Sequence, residues 1–231
     1  MPTLERITVY PVKSLDGVEV DECRVLPGGG LEDDRRWRLV DMDGVVVNAK
    51  RSTLCSAIRA EFDLAARRIR LRVDDAALDA AALPAVDLER LRGLGRESFS
   101  LVPGQGGPCD WLSDAFGRRV LLEERADGGF PDDRDAPGPT LMSTATLVEA
   151  GRWFGFDLHE SRRRFRANLE IGGCDAFWED TLASPARPGL VPSLLDLPPD
   201  LPADPYADLP PPEPRAFSIG EIVFRATNVC R

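Results

Sequence analysis

The densest chemistry in the sequence is the run Arg162-Arg-Arg-Phe-Arg-Ala-Asn-Leu-Glu-Ile171. Arg166 and Asn168 stand two apart in a strand-like segment leading into Leu169 and Ile171, and such residues face the same way on a strand. A guanidinium fork beside a carboxamide suits a phosphate or a pterin ring edge. Arg162 to Arg164 read instead as the solvated end of a basic run. Lys13, in Tyr10-Pro-Val-Lys-Ser14, is one of two lysines among 29 basic residues, the other being Lys50. It is either an exposed loop lysine or a point charge held for an anionic group. In Gly28-Gly-Gly-Leu-Glu-Asp-Asp-Arg-Arg-Trp37, three glycines precede an acidic and basic cluster. No Gly-Lys-Ser/Thr follows, so this is not a nucleotide P-loop. Asp34 is expected to orient Arg35 in a surface ion pair worth under ~1 kcal/mol, and Trp37 is expected in the core. Ser143 is a good helix N-cap, and exposed amides at such a helix start also form an anion site.

Those residues need elements to position them. Ile7 and Val9 alternate with Thr8 and Tyr10, and Ile69, Leu71 and Val73 alternate with Arg68, Arg70 and Arg72. Both runs have the period of a strand with one wet face. Asp43-Gly44 between two apolar runs predicts a hairpin. Residues 76–92 read as a short helix interrupted by Pro84, and Trp111 to Phe116 as a helix ending at Gly117. Residues 127–139 are too rich in Gly, Pro and Asp for regular structure. A helix is expected over 144–154, with Leu147, Ala150 and Phe154 on one face and Gly155 at its end. Pro103-Gly-Gln-Gly-Gly-Pro108 is a candidate boundary, dividing the chain into 1–102 and 109–231. From 184 to 215, 11 of 32 residues are proline, which predicts a surface insertion without regular structure.

Composition narrows the function classes. An apolar content of 43% supports a real core. A net charge of −10 argues against a nucleic-acid-binding surface. Cys23, Cys55, Cys109, Cys174 and Cys230 are odd in number and form no Cys-x-x-Cys pair, against a disulfide framework or zinc knuckle. No secretory leader or membrane-length apolar run is visible, so a soluble cytoplasmic protein is expected, with no membrane partner.

Six blocks then line up in order. They are Val9-Tyr-Pro-Val-Lys-Ser14, Asp34-Arg-Arg-Trp37, Leu141-Met-Ser-Thr-Ala-Thr-Leu147, Phe165-Arg-Ala-Asn168, Gly173-Cys-Asp-Ala-Phe-Trp-Glu-Asp180 and Ile219-Gly-Glu-Ile222. Together they resemble the MOSC proteins, in the branch with an N-terminal MOSC β-barrel that includes the mitochondrial amidoxime-reducing component. The resemblance covers nearly the whole chain apart from the Pro-rich insertion. It implies a mostly β (α+β) fold: an N-terminal β-barrel-like domain over 1–102, packed on a MOSC β-barrel with peripheral helices over 109–231.

It also implies molybdenum cofactor (molybdopterin), with Lys13, Arg35, Arg166 and Asn168 on its phosphate and pterin and Ser143 beginning the helix beside the pocket. Cys230 matches the first cysteine of the family's Cys-x-Arg-Cys, so the metal ligand is expected beyond the chain end. The final barrel is expected to be incomplete here. Cys174 is expected to be a small buried residue. The implied reaction is reduction of small-molecule N-hydroxylated compounds. No flavin or iron–sulfur motif appears, so a separate electron-donor protein is expected. The alternatives are a cofactor carrier or sulfur-transfer protein without redox turnover, or a truncated non-catalytic remnant.

Overall fold

Alternation and turn chemistry dominate the first third of the chain. In a computed structural model, which describes residues 1–80, 83–183 and 215–227, they form strands β1 (Thr3–Val9), β2 (Val18–Val20), β3 (Trp37–Asp41), β4 (Val46–Val47), β5 (Ile58–Asp63) and β6 (Arg68–Val73). The expected hairpin joins β3 to β4. Gly44 sits at its tip with φ of +75°, a conformation costly for any residue with a Cβ. In β6, Ile69 and Leu71 are fully buried and Arg68 and Arg70 exposed, as period-2 alternation requires. Pro84 splits the expected helix into α1 (Asp75–Ala80) and α2 (Ala85–Arg92), because proline fits a helix start and not its interior.

The chain continues through β7 (Glu97–Ser100), α3 (Cys109–Phe116), β8 (Val120–Glu124), β9 (Leu141–Ser143), α4 (Thr144–Phe154), α5 (Leu158–Phe165), β10 (Leu169–Gly172), α6 (Asp180–Ala183), β11 (Ala216–Ile219) and β12 (Ile222–Arg225). Residues 127–139 contain no helix or strand. The insertion expected over 184–215, save its last residue, and Cys230 lie outside the described residues. The fold is a β-rich α+β arrangement. Among the described residues, no helix is long and apolar enough to cross a membrane.

Four strand sets carry the topology: β2-β1-β10-β9, β4-β3-β8, β5-β6-β7 and the β11-β12 hairpin. The first sheet brings distant sequence together. β1 pairs antiparallel with β10, and β10 pairs parallel with β9, so Ile7 faces Leu169 and Leu169 faces Leu141. One core cluster joins Trp37, Leu39, Ile58, Ile69, Leu71 and Leu91, and continues past 103–108 into Trp111, Leu112, Ala115, Phe116 and Val120. A second, smaller cluster centres on Val9, Leu31 and Leu169, with Ile219 and Phe224 of the hairpin packed on it.

Helix α4 starts and stops where the sequence predicts. The Ser143 hydroxyl caps it by accepting from the Thr146 amide, and Gly155 ends it in the left-handed region. Leu147 and Ala150 are buried, but Phe154, on the last turn of the same face, is 62% exposed. Its ring stacks on Phe156 instead, with centroids 5.8 Å apart. The chain reverses at Gly155 into α5, and that turn supplies Phe154 with an aromatic partner outside the core.

Candidate functional site

Three segments meet where the two central strands of the first sheet end, after β1 and before β10. The Arg35 amide donates to the Tyr10 carbonyl at 2.8 Å, and the Trp37 amide donates to Pro11 at 2.9 Å. The Thr8 amide donates to the Asn168 carbonyl at 2.7 Å. These backbone bonds place Lys13, Arg35 and Asn168 around Tyr10. Gly129 lets the irregular 127–139 segment close over them. A Cβ there would stand 2.5 Å from the Asp34 carbonyl oxygen, so only glycine allows the approach.

Asn168 is the hub. Its side chain is 1% exposed and every polar atom is used. Nδ2 donates to the Thr8 carbonyl at 2.9 Å and to Asp34 Oδ1 at 3.0 Å. Oδ1 accepts from the Thr140 amide and hydroxyl, each at 3.1 Å, and from Arg35 Nη1 at 3.4 Å. Asp34 Oδ1 also accepts from the Tyr10 amide at 2.8 Å, while its other oxygen pairs with Arg35.

Arg166 is the least compensated charge in the cluster. It donates to the Leu15 carbonyl and lies over the Tyr10 ring, 4.1 Å from the centroid. The Arg35 guanidinium lies over the same ring at 5.4 Å. Among the described residues no carboxylate forms an ion pair with Arg166. Burial pulls its pKa down, and the neighbouring Arg35 adds to the fall, against the Tyr10 oxygen and more distant acids. Burial pushes the Tyr10 hydroxyl up to about 12 despite both cations, so it is neutral at ordinary pH. Its oxygen donates to the Ala167 carbonyl at 3.3 Å. Buried cations without counter-charges are costly, and an anion is the usual remedy.

Lys13 extends the cluster outward. Its Nζ contacts Asp132 Oδ1 at 2.8 Å and the Phe130 carbonyl at 3.2 Å, and Asp132 also faces Arg35 at 3.9 Å. Burial pushes the Asp132 carboxyl up, but Lys13, Arg35 and Lys50 outweigh that and hold it below the usual carboxylate range.

The backbone is strained at the same place. Ser14, Asp33, Arg35 and Arg166 have φ of 70°, 61°, 50° and 57°, four of the six such non-glycine residues described. Each left-handed residue of this kind costs on the order of 1 kcal/mol, and such residues cluster at binding sites.

Several expectations need correction. Arg166 and Asn168 do not alternate along a strand: Arg166 ends α5 in the left-handed conformation, and Asn168 precedes β10. A tight turn, not a pleat, brings both side chains to one cluster. The Asp34–Arg35 pair is not a surface pair, since both side chains are only 11–12% exposed. Arg162 is not simply solvated, because it forks onto Glu170 with bonds of 2.7 and 2.8 Å. The carboxylate of Asp132 accompanies both Lys13 and Arg35, a partner that the sequence did not indicate.

Cys174 is half-exposed, not buried. Ser143 is not brought into the cluster. It is wholly buried beneath the 174–177 segment, where its hydroxyl meets Thr146 Oγ1 at 2.8 Å and the Asp175 carbonyl at 3.3 Å. Tyr10, Asp34, Thr140 and Asp132 join the site without having been singled out for it. Tyr10 carried one usable signal: it shares a block with Lys13. Among the described residues no cluster of His, Cys, Asp and Glu is arranged to hold a metal ion.

The comparisons with known proteins bear on this arrangement. The family model described as the MOSC N-terminal beta barrel domain matches residues 1–119. The chain is similar to the molybdenum cofactor sulfurase of Drosophila yakuba, 28% identical over 198 residues covering 78% of this chain and 24% of that protein. It is likewise similar to the molybdenum cofactor sulfurase of Drosophila melanogaster, 27% identical over 207 residues covering 78% and 24%. The molybdenum cofactor sulfurase of Danio rerio is 27% identical over 212 residues, covering 77% and 25%. The chain thus spans about a quarter of the length of the curated relatives it matches.

Proposed function

Because the chain belongs to the family of the MOSC N-terminal beta barrel domain, we propose that it binds molybdenum cofactor at the Tyr10–Arg35–Asn168–Arg166 cluster. The observation that carries this reading is Arg166, a half-buried guanidinium with no carboxylate partner among the described residues, held in a strained backbone beside a second cation. A phosphate supplies the missing counter-charge, and Arg166 and Arg35 offer fork geometry for its oxygens. Lys13 adds a point charge at the rim, held by Asp132 and the Phe130 carbonyl. Asn168 spends its amide on Thr8 and Asp34, so its role is to hold Arg35 and Asp34 in place and not to grip a ligand directly. Neutral Tyr10 gives both guanidiniums a π face.

The cofactor, when bound, supplies two-electron chemistry at its metal. The proposed reaction is reduction of an N-hydroxylated compound to the amine-level product and water, consuming two electrons and two protons. The electrons come from a separate protein. A second reading takes its cue from the names of the relatives, which are sulfurases: a domain that holds the cofactor while sulfur is transferred to it. Both readings use the same pocket.

The 231-residue chain, purified from a cofactor-producing host, tests the shared claim. We expect pterin close to one per chain in the wild type and a loss of at least about tenfold in Arg166→Ala with the fold retained. Equal pterin in both proteins, or none in the wild type, overturns it. Turnover of an N-hydroxylated substrate with an added electron donor then separates reductase from sulfur-transfer roles.

A further inference from the structure

Lys13 also borders a cleft of about 510 Å³ that the cofactor cluster does not use, lined by Arg38, Arg51, Arg125, Arg134 and Asp132 among others. Five cations face one carboxylate in a chain whose net charge is −10, so this patch runs against the charge of the whole. Its cations are unequally committed. Arg38 pairs with Glu123 at 2.7 Å and lies over the Phe130 ring at 4.3 Å. Arg125 lies over that ring at 5.7 Å and donates to the Gly129 carbonyl at 3.4 Å. Arg51 and Arg134 are exposed, and among the described residues neither guanidinium has an ion-pair partner. Phe130 therefore fixes two guanidiniums, and two more are left free to close on a ligand.

We propose that this cleft binds the anionic end of a small organic molecule, a phosphomonoester or a pair of carboxylates, as the substrate that reacts beside the cofactor. Only its placement beside the cofactor rests on the reading above; the anion site stands on the cleft itself. The volume lies within the roughly 300–1,000 Å³ of small-molecule sites and exceeds what inorganic phosphate needs. Arginine in place of lysine favours planar, bidentate oxyanions. Nucleic acid is disfavoured, because a chain of net charge −10 with so small a basic patch repels a polyanion.

Isothermal titration of the 231-residue chain with AMP, citrate and uncharged adenosine tests this. We expect AMP or citrate to bind and adenosine not to, and the tighter of the two anions identifies the head group. An Arg51→Ala/Arg134→Ala double variant, altered only at exposed side chains, should weaken that binding at least about tenfold. Arg68→Ala, an exposed arginine on β6, should leave it unchanged. Arg166→Ala should abolish pterin retention and keep anion binding. A wild type that lacks pterin yet binds the anion sinks the cofactor reading and leaves this one standing. Binding of neither anion, equal binding of adenosine, undiminished affinity in the double variant, or loss of anion binding in a folded Arg166→Ala protein overturns the proposal.

Discussion

Glu170 and Asn168 lie two residues apart and are almost equally buried, at 3% and 1% exposure, yet their surroundings have opposite electrostatics. At Glu170 a carboxylate is the centre and cations serve it. Arg162 forks onto both of its oxygens and the Thr144 hydroxyl donates at 2.9 Å. Burial pushes the Glu170 carboxyl up, but Arg162 and Thr144 outweigh it and hold it below the usual range. At Asn168 the cations are the centre, and Arg166 has no carboxylate among the described residues. The first pole is complete as it stands. The second holds excess positive charge and strained backbone, and that asymmetry marks binding rather than stability.

The largest effect expected is from Asn168→Leu. It strands the Thr8 carbonyl and the Thr140 amide in a buried site and removes one of two donors to Asp34 Oδ1, which keeps the Tyr10 amide. A loss of about 3 kcal/mol in urea unfolding is expected, with pterin retention gone. A loss under about 1 kcal/mol breaks the claim that Asn168 is the hub.

The next experiment sets the poles against each other. Arg162→Met leaves Glu170 without its fork and should cost about 2 kcal/mol. Arg166→Met orphans only the Leu15 carbonyl and relieves a half-buried charge, so its cost should stay under about 1 kcal/mol while cofactor content falls. If Arg166→Met is the more destabilising, Arg166 is a structural residue and the comparison fails.

The two poles should also fail at opposite ends of the pH scale. Glu170 has a depressed pKa in the folded state, so its contribution is present above the ordinary carboxylate range and lost as pH falls through the depressed value. Tyr10 is raised to about 12, so its contribution is full below its ordinary value near 10 and lost as pH rises through about 12. Unfolding followed against pH should show Glu170→Gln flattening the acid limb only and Tyr10→Phe the alkaline limb only. Any crossover between them shows that the poles are coupled.

Which of this was legible in the sequence follows from the range of each signal. Local rules located the Asp43-Gly44 hairpin, the Ser143 cap, the Gly117 and Gly155 helix ends and the wet face of β6, because each depends on neighbours within a few residues. Lys13, Arg35, Arg166 and Asn168 were singled out as a set through block order. Their geometry was not, because a left-handed arginine at a helix end looks in sequence like one step of a strand. Partners were least visible. Asp34 with Asn168 and Lys13 with Asp132 are pairings across more than a hundred residues, and Glu170 became readable as Arg162's anchor only once β10 lay beside α5.

The smallest stability effect, and the finest test of the asymmetry, is Asp132→Asn. The Asp132 side chain is 63% exposed, so its ion pair with Lys13 adds little, and unfolding should shift by no more than about 0.5 kcal/mol. Its effect on binding should be larger than its effect on the fold. Lys13 and Arg35 now share this carboxylate as a counter-charge, and any incoming phosphate must compete with it. An amide of the same shape removes the competitor and keeps a hydrogen-bond acceptor for Lys13. Inorganic phosphate should therefore bind a few-fold more tightly to the variant, with a steeper dependence on salt as one more cation is released to the ligand. At the other pole the matching change, Glu170→Gln, removes the anchor itself and should weaken the fold while attracting no anion. If Asp132→Asn instead weakens phosphate binding, the carboxylate is positioning Lys13 for the ligand. Lys13 and Asp132 would then act as one built pair, and the cation-rich pole would be as internally balanced as the one around Glu170.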